Sequence, residues 1–154
     1  MYGAATGKPY SYRSDQGVPV FPDDRPIFIF DGLCALCSGW ARFVLRHDRR
    51  QRYRLLPAQT PLGQALYRHY GLNPVGYETA ILIADGIAWR RSEGAIRVAE
   101  GLGPPWSWVR CLRLLPLPWR DQAYRWVARN RFRLFGRRAR CYRAEPGEEH
   151  RFLA

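Results

Sequence analysis

Cysteines and long apolar runs are scarce in this sequence, and each scarcity excludes a class of protein. Four cysteines among 154 residues are too few for a disulfide scaffold, and a chain of this length can bury a core without one. No apolar run approaches the roughly 20 residues that cross a bilayer, and residues 1–8 lack the basic start and apolar stretch of a secretory signal. We therefore expect a cytoplasmic globular protein, in which a close cysteine pair is catalytic or binds a metal.

Several catalytic motifs are also missing. The sequence contains neither a glycine-rich loop that would hold phosphates nor a set of serine, histidine and aspartate that would form a hydrolase triad. The three histidines lie at basic helix ends or near the carboxyl terminus. We therefore assign them structural or solvent-facing roles.

Negative charge is in short supply, since 25 basic residues oppose 13 acidic ones for a formal net charge of +12. Nearly all of the excess is arginine, because Lys8 is the only lysine. A field of this sign attracts nucleic acid, anionic membranes and acidic proteins, and it does not choose among them. The other interpretation is an arginine-rich surface that faces water.

Basic and aromatic side chains are interleaved in residues 125–143. The aromatic members are Trp126, Phe132, Phe135 and Tyr142. Such a composition can bind phosphates and stack on bases, or lie on an anionic membrane surface. Alternatively, the aromatics pack the last helix onto the domain while the arginines face water. We favour this last interpretation.

The most informative feature that is present is a pair of cysteines three residues apart. Cys34 and Cys37 follow a short apolar run and open a helical pattern. A thiolate, rather than a thiol, attacks a disulfide, and the amino end of a helix favours a negative charge. We therefore predict that Cys34 is the accessible attacking thiol with a lowered pKa. Cys37, one turn into the helix, is predicted to be the more protected resolving thiol.

Asp31 and Gly32 lie at the turn that leads into this helix. Asp31 could accept a proton from Cys37 as a general base, or it could cap the turn or the helix. One side chain can do both, so both interpretations stay open. We expect Gly32 to permit the tight turn.

The other cysteines do not form a second pair. We expect Cys111, on an apolar helix, to be a small core residue. We expect Cys141 to be an idle surface thiol whose thiolate is favoured by neighbouring arginines, with pairing to the dithiol as the alternative. A zinc site beside Cys34 and Cys37 would need two more ligands, and no second pair has ligand spacing. We therefore expect no metal and no organic cofactor.

Apolar patterns and turn signals predict the order of the elements. The predicted strands are residues 26–31, 53–56, 79–84 and 87–90, and the predicted helices are residues 34–47, 60–71 and 92–101. Thr60 and Pro61 mark a helix start, and Asp85-Gly86 marks a hairpin. This order predicts an α/β fold, a thioredoxin-like mixed sheet flanked by helices, with a carboxy-terminal helical extension.

The chain divides into three predicted segments. Residues 1–25 have no sustained periodicity and are expected to be a flexible leader. Residues 26–103 are expected to form the thioredoxin-like domain with the CxxC site. Residues 104–154 are expected to add a helical extension, with helices near 107–115 and 119–132, and a mostly irregular basic tail that packs on the same domain.

Several stretches together carry a family resemblance. They are Phe30-Asp31-Gly32-Leu33-Cys34-Ala35-Leu36-Cys37, the basic helix end at 46–50, Ala84-Asp85-Gly86, Ser92-Glu93-Gly94-Ala95, and residues 130–141 with Phe135-Gly136. This set resembles the DCC thiol-disulfide oxidoreductases, thioredoxin-like proteins named for an aspartate and two cysteines. The resemblance covers residues 26–154. It implies protein-disulfide reductase activity with Asp31, Cys34 and Cys37 as catalytic residues. A disulfide substrate and a dithiol electron donor would be the partners.

One departure from ordinary thioredoxins concerns substrate binding. Those proteins place a cis-proline just before the third strand, whereas Tyr77, Glu78 and Thr79 hold that place here and Pro74 comes too early. We therefore expect substrates to dock differently. The leading hypothesis is a thiol-disulfide oxidoreductase. The alternative is a non-enzymatic adaptor that binds nucleic acid, an anionic membrane or an acidic protein through its basic aromatic carboxy-terminal surface.

Overall fold

A computed structural model describes residues 5–73 and 80–153. In chain order its elements are β1 (Ala5–Thr6), a 3₁₀ turn (Ser11–Ser14), β2 (Ile27–Phe30), α1 (Ala35–His47), β3 (Arg54–Pro57), α2 (Pro61–His69), β4 (Ile81–Ala84), β5 (Ile87–Arg90), α3 (Arg91–Gly101), a 3₁₀ helix (Trp106–Leu114), α4 (Leu117–Phe135) and a last 3₁₀ turn (Glu149–Arg151). Local sequence signals explain the start of α2 and the turn between β4 and β5. Thr60 caps α2 by accepting the Gly63 N–H at 3.1 Å. Asp85 and Gly86 have φ values of 53° and 75°, as a tight hairpin turn requires.

The described strands form one mixed sheet in the order β1-β5-β4-β2-β3. The interior strand β2, second from one edge, runs parallel to β3 and antiparallel to β4. The hairpin partner β5 follows β4, and the short β1 pairs antiparallel at the edge. With helices flanking the sheet, this architecture confirms the predicted thioredoxin-like α/β fold.

The strand β2 is buried on both faces and carries the site at its carboxyl end. Ile29 belongs to the apolar cluster that includes α2, whereas Phe30 belongs to the cluster that includes α1 and α3. Successive strand side chains point to opposite faces, and both of these residues are completely buried. The turn at Asp31 therefore starts from a buried strand that is paired on both edges.

The predicted flexible leader packs on the domain in its described part. β1 pairs with β5, placing Ala5 opposite Trp89. Tyr12 is buried in the cluster that includes α2 and donates a hydrogen bond to Asp23 at 3.0 Å. Average composition did not indicate these contacts, because they depend on particular residues, Tyr12 and Val18, that are buried in this cluster.

The carboxy-terminal tail is irregular, but it returns to the sheet. α4 packs against α1 and α3. Beyond it, Tyr142, Arg151 and Leu153 are buried, and the Leu153 N–H donates to the Leu55 carbonyl at 2.9 Å. No helix in the described chain has the length and apolar character needed to cross a bilayer.

Candidate functional site

The two cysteines of the CxxC motif lie at the amino end of α1, as their spacing predicts. Cys34 precedes the helix with an extended backbone, and its sulfur accepts a hydrogen bond from the Cys37 N–H at 3.4 Å. Both residues are free thiols. The first N–H groups of a helix have no intrahelical partners, so this position offers donors to a negative sulfur.

The exposure of the two thiols is the reverse of the prediction. Cys34 is 0% exposed, whereas Cys37 is partly exposed. The expectation of an accessible Cys34 and a protected Cys37 considered only the helix itself. A segment from much later in the chain covers the start of that helix.

This cover is formed by residues 136–142, which we call the strap. It follows α4 and crosses the loop that holds Cys34. Three backbone hydrogen bonds join it to the loop and the start of α1. Two are donated by the strap: the Arg138 N–H to the Leu33 carbonyl (2.7 Å) and the Tyr142 N–H to the Gly32 carbonyl (2.9 Å). In the third, the strap accepts at the Gly136 carbonyl from the Ala35 N–H (3.2 Å). Cys34 itself pairs with Arg137 as an isolated antiparallel bridge. The strap thus lies across the loop that holds the buried Cys34.

The two thiols have opposite pKa shifts. The pKa of Cys34 is lowered to about 6, mainly by a hydrogen bond from the Cys37 thiol. Backbone N–H groups and the charge of Arg131 also lower this pKa, whereas burial raises it. The hydrogen bond to Cys34, burial and the charge of the Cys34 thiolate raise the pKa of Cys37 well above its ordinary value. Cys34 therefore ionises first, in the direction predicted for an attacking thiol.

Arg131 of α4 is a site residue that the sequence analysis missed. Its guanidinium forms an ion pair with Asp31 at 3.0 Å, and both side chains are less than 5% exposed. The same guanidinium approaches the Cys37 sulfur at 3.7 Å. A buried positive charge therefore lies beside both the aspartate and the resolving thiol. The only sequence signal for Arg131 was its place within an arginine-rich stretch, where it did not stand out from its neighbours.

Asp31 also organises the turn, as one of its two interpretations predicts. Its Oδ1 accepts the Leu33 N–H at 2.9 Å and the Gln59 side-chain amide at 2.6 Å. Gln59 in turn accepts the Gly32 N–H at 3.0 Å. The carboxylate is thus held by the loop on one oxygen and by Arg131 on the other. Gln59 is a second site residue that carried no sequence signal.

Gly32 is required for a close approach rather than for a special backbone angle. A methyl group at this position would lie 2.5 Å from the Cys141 sulfur and 3.1 Å from the Tyr142 nitrogen. The absence of a side chain therefore lets the strap lie against the loop. Substitution at Gly32 would push the strap away from Cys34.

The remaining cysteines differ from their predictions. Cys141 is half-buried in the strap with its sulfur 3.6 Å from Gln59 Oε1, and burial raises its pKa. It is therefore neither an exposed surface thiol nor a favoured thiolate. Cys111 is exposed rather than in the core, because the 3₁₀ helix that carries it buries none of its residues.

An apolar cavity of about 240 Å³ lies beside Cys37. Its walls are Phe28, Leu36, Cys37, Trp40, Ala80, Leu82, Gly94, Ala95 and Tyr124. Such a cavity can receive an apolar group next to the Cys37 sulfur. Sequence patterns could not indicate it, because its walls come from β2, β4, α1, α3 and α4.

Two further expectations concern metals and the cis-proline. Across residues 5–73 and 80–153, no three histidine, cysteine or acidic side chains lie close enough to bind a metal together. The place of the cis-proline, held by Tyr77, Glu78 and Thr79, lies outside the described residues, as does Pro74.

The pKa of Cys34 leads to a prediction about pH. In a Cys111→Ser, Cys141→Ser background, we expect the ultraviolet absorbance of one thiolate to appear with a midpoint near pH 6. Below that pH the thiolate is protonated, so its reactivity falls. Cys37→Ala should raise the midpoint, because the main hydrogen bond to the thiolate is lost. Cys34→Ser should remove the step. A midpoint near the free-thiol value of about 8.5 would contradict this account of the helix start.

Comparison with known proteins agrees with this geometry. The DCC1-like thiol-disulfide oxidoreductase family profile matches residues 28–137, a range that includes Asp31, Cys34, Cys37 and Arg131. The chain is 32% identical over 127 residues to "Uncharacterized protein YuxK" of Bacillus subtilis (strain 168), covering 82% of this chain and 93% of that protein.

A second relative comes from a plant. The chain is 33% identical over 120 residues to "DCC family protein At1g52590, chloroplastic" of Arabidopsis thaliana, covering 77% of this chain and 70% of the relative. No solved structure gives a significant match. The profile match covers more than half of the chain and the plant relative carries the same family name, and the chain therefore belongs to the DCC1-like thiol-disulfide oxidoreductase family.

Proposed function

We propose that this protein exchanges disulfides with a protein or small-molecule substrate through Cys34 and Cys37. The observation that carries the proposal is the pairing of the two thiols at the start of α1. One of them ionises near pH 6 and accepts a hydrogen bond from the other, whose pKa is raised. A reactive thiolate beside a protonated second thiol is the arrangement that two-step exchange uses.

The reaction has two balanced steps. The Cys34 thiolate attacks one sulfur of the substrate disulfide, forming a mixed disulfide and releasing the other sulfur as a thiolate. Cys37 then loses its proton and attacks the Cys34 sulfur, forming the Cys34–Cys37 disulfide and releasing the second substrate thiolate. The substrate gains two electrons and the protein loses two. A separate dithiol donor restores the reduced protein.

Arg131 and Asp31 assist the second step in this proposal. The positive charge of Arg131 lowers the pKa of Cys37, whereas burial and the neighbouring Cys34 raise it. Arg131 therefore favours the resolving thiolate. Asp31 holds that guanidinium in place and is the proposed acceptor of the Cys37 proton. Arg131 contacts both groups.

Access to Cys34 requires the strap to move. Cys34 is completely buried, and exchange proceeds only when a substrate sulfur reaches the thiolate. Opening the strap breaks the backbone hydrogen bonds of Arg138 and Tyr142 to the loop. The cavity beside Cys37 then offers a place for an apolar group of the substrate.

Trapping tests the order of attack. A Cys37→Ser variant mixed with an aromatic disulfide reagent should hold a stable mixed disulfide, which mass spectrometry of its peptides locates at Cys34. The Cys34→Ser variant should form no such adduct at Cys37 on the same timescale. The wild type should proceed to a Cys34–Cys37 disulfide that a dithiol reverses. Equal rates at the two cysteines would contradict the assigned order of attack, and faster attack by Cys37 would reverse it. Absence of an internal disulfide in the wild type would favour the adaptor hypothesis.

The strap can be tested in the same Cys37→Ser background. Arg138→Pro removes the N–H that bonds to Leu33. Losing a hydrogen bond of about 1 kcal/mol should make trapping roughly fivefold faster. Arg138→Ala keeps the N–H and is the matched control. Equal rates for the proline and alanine variants would show that Cys34 is reached by another route.

A further inference from the structure

The exposed apolar side chains are concentrated on one part of the molecule. In the described chain, the large hydrophobic residues with the highest exposure are Val20 and the group Trp108, Leu112, Leu114, Leu115, Trp119, Trp126, Leu134 and Phe135. Apart from Val20, all of them belong to the 3₁₀ helix, to α4 or to the short link between them. We call the group without Val20 the aromatic–aliphatic face. Within this group, Trp119 and Trp126 border one open surface depression, and exposed apolar patches mark interaction sites.

Positive charge predominates in the stretch of chain that carries this face, although Glu93 and Glu100 of α3 pair with two of its arginines, Arg113 and Arg120. Asp121 is the only acidic residue between positions 104 and 144. It is buried and accepts a short hydrogen bond from Ser92. Arg110, Arg125, Arg129 and Arg133 lie in the same stretch and are exposed. The face therefore presents apolar groups and cations together.

The helical geometry of α4 places both kinds of side chain on its outward side. Trp119, Trp126 and Arg133 are seven residues apart in turn, so they follow one line along the helix. Arg129 is one turn from Trp126 on the neighbouring line. The opposite side carries the buried Asp121 and Arg131. The outward side of α4 is thus an amphipathic interface rather than a solvated polar surface.

We propose that the aromatic–aliphatic face docks on an anionic membrane surface. Tryptophan settles at the boundary between headgroups and acyl chains, arginine neutralises anionic lipids, and leucine gains from entering the apolar region. The net charge of +12 adds a long-range attraction of the required sign. This proposal is independent of the exchange reaction.

The four leucines favour a membrane over nucleic acid. Nucleic acid offers phosphates to arginine and bases for aromatic stacking, but Leu112, Leu114, Leu115 and Leu134 have no comparable partner there. Docking would also bring the redox site near the surface. The inner side of α4 carries Arg131, which contacts Asp31 and Cys37, and an α-helix is only about 10 Å across.

Vesicle flotation tests the proposal with the full chain. We expect the protein to float with phosphatidylcholine vesicles that contain phosphatidylserine, to bind pure phosphatidylcholine weakly, and to detach as salt is raised. A Trp119→Ser, Trp126→Ser variant should bind at least about 100-fold more weakly, since each buried apolar side chain contributes a factor of at least about ten. Val20→Ser, which removes an exposed apolar side chain outside the face, should bind like the wild type.

A second measurement separates the alternatives. Brominated lipids should quench tryptophan emission in the wild type and quench it less in the double variant. Urea unfolding is the control, since the two proteins are compared at equal stability. If the double variant is destabilised, quenching of the wild type alone decides the question. Absence of binding to anionic vesicles, equal binding by the double variant, or displacement from vesicles by a short duplex DNA would each overturn the proposal.

Discussion

Replacing Arg131 by methionine is expected to lower the free energy of unfolding by about 3–5 kcal/mol. The Asp31 carboxylate would then stay in the interior without its cationic partner, which now lies 3.0 Å away with both side chains almost completely buried. Removing one member of such a pair costs more than the pair contributes, because the remaining charge is desolvated and uncompensated. Urea unfolding followed by far-ultraviolet circular dichroism measures the loss. Arg133→Met, an exposed arginine on the same helix, should change stability by less than about 0.5 kcal/mol.

A double variant separates the cost of the unpaired charge from the worth of the pair. Asp31→Asn combined with Arg131→Met removes both charges, so much of the lost stability should return. Asparagine can still accept the Leu33 N–H. A single-variant loss below about 1 kcal/mol would mean that the buried Asp31–Arg131 ion pair does not stabilise the fold in this way.

Arg131 has a redox readout that a purely structural role would not move. Its charge lowers the pKa of Cys37, so its loss should raise the pH at which the second exchange step reaches half its maximal rate. Release of the small thiol from a preformed Cys34 mixed disulfide measures this step. Arg131→Lys keeps a positive charge and should retain the wild-type profile more closely than methionine does. Identical profiles for the methionine and wild-type proteins would confine Arg131 to folding.

Replacing Arg151 by methionine is expected to have a comparable effect, about 3–5 kcal/mol. Its guanidinium bonds to Asp48 at 2.6 Å and to the Tyr53 carbonyl at 3.1 Å, and both charged side chains are nearly inaccessible to solvent. Asp48 also accepts the backbone N–H groups of Arg52 and Tyr53. The variant would leave a buried carboxylate with amide partners only, and it would release the tail from the sheet.

The tail gives this prediction a local readout. Hydrogen exchange at the Leu153 amide, which bonds to the Leu55 carbonyl, should become faster in Arg151→Met than the global loss of stability explains. Arg143→Met, an exposed arginine in the same tail, is the matched control. If Arg143→Met destabilises the protein as much as Arg151→Met, general charge rather than the buried pair is responsible.

Elements with local causes could be predicted from the sequence. Thr60 followed by Pro61 marks the start of α2 because a hydroxyl cap and a fixed φ act on adjacent residues. Asp85-Gly86 defines the hairpin because both residues tolerate positive φ. Cys34 at the start of α1 is likewise a local feature. The mixed sheet of β2 to β5 then follows from the pattern of elements, since a parallel β–α–β opening followed by a hairpin admits few arrangements.

Solvent exposure and charge pairing depended on residues far apart in the chain. Arg131 and Cys37 are separated by 94 positions, and Arg151 and Asp48 by 103. No short-range pattern distinguishes these two arginines from the many that face water. The same reason explains the errors about Cys34, Cys111 and Cys141, since each concerned what a distant segment covers or leaves open.

Two kinds of information therefore define this protein. The sequence determined that a dithiol opens the first long helix after a buried strand, because capping, turn geometry and apolar periodicity act over a few residues. Only the tertiary structure decided which thiol is buried, which arginine accompanies it and which apolar face is left uncovered. Burial and desolvation are properties of the packed chain, and they arise only when segments distant in sequence meet.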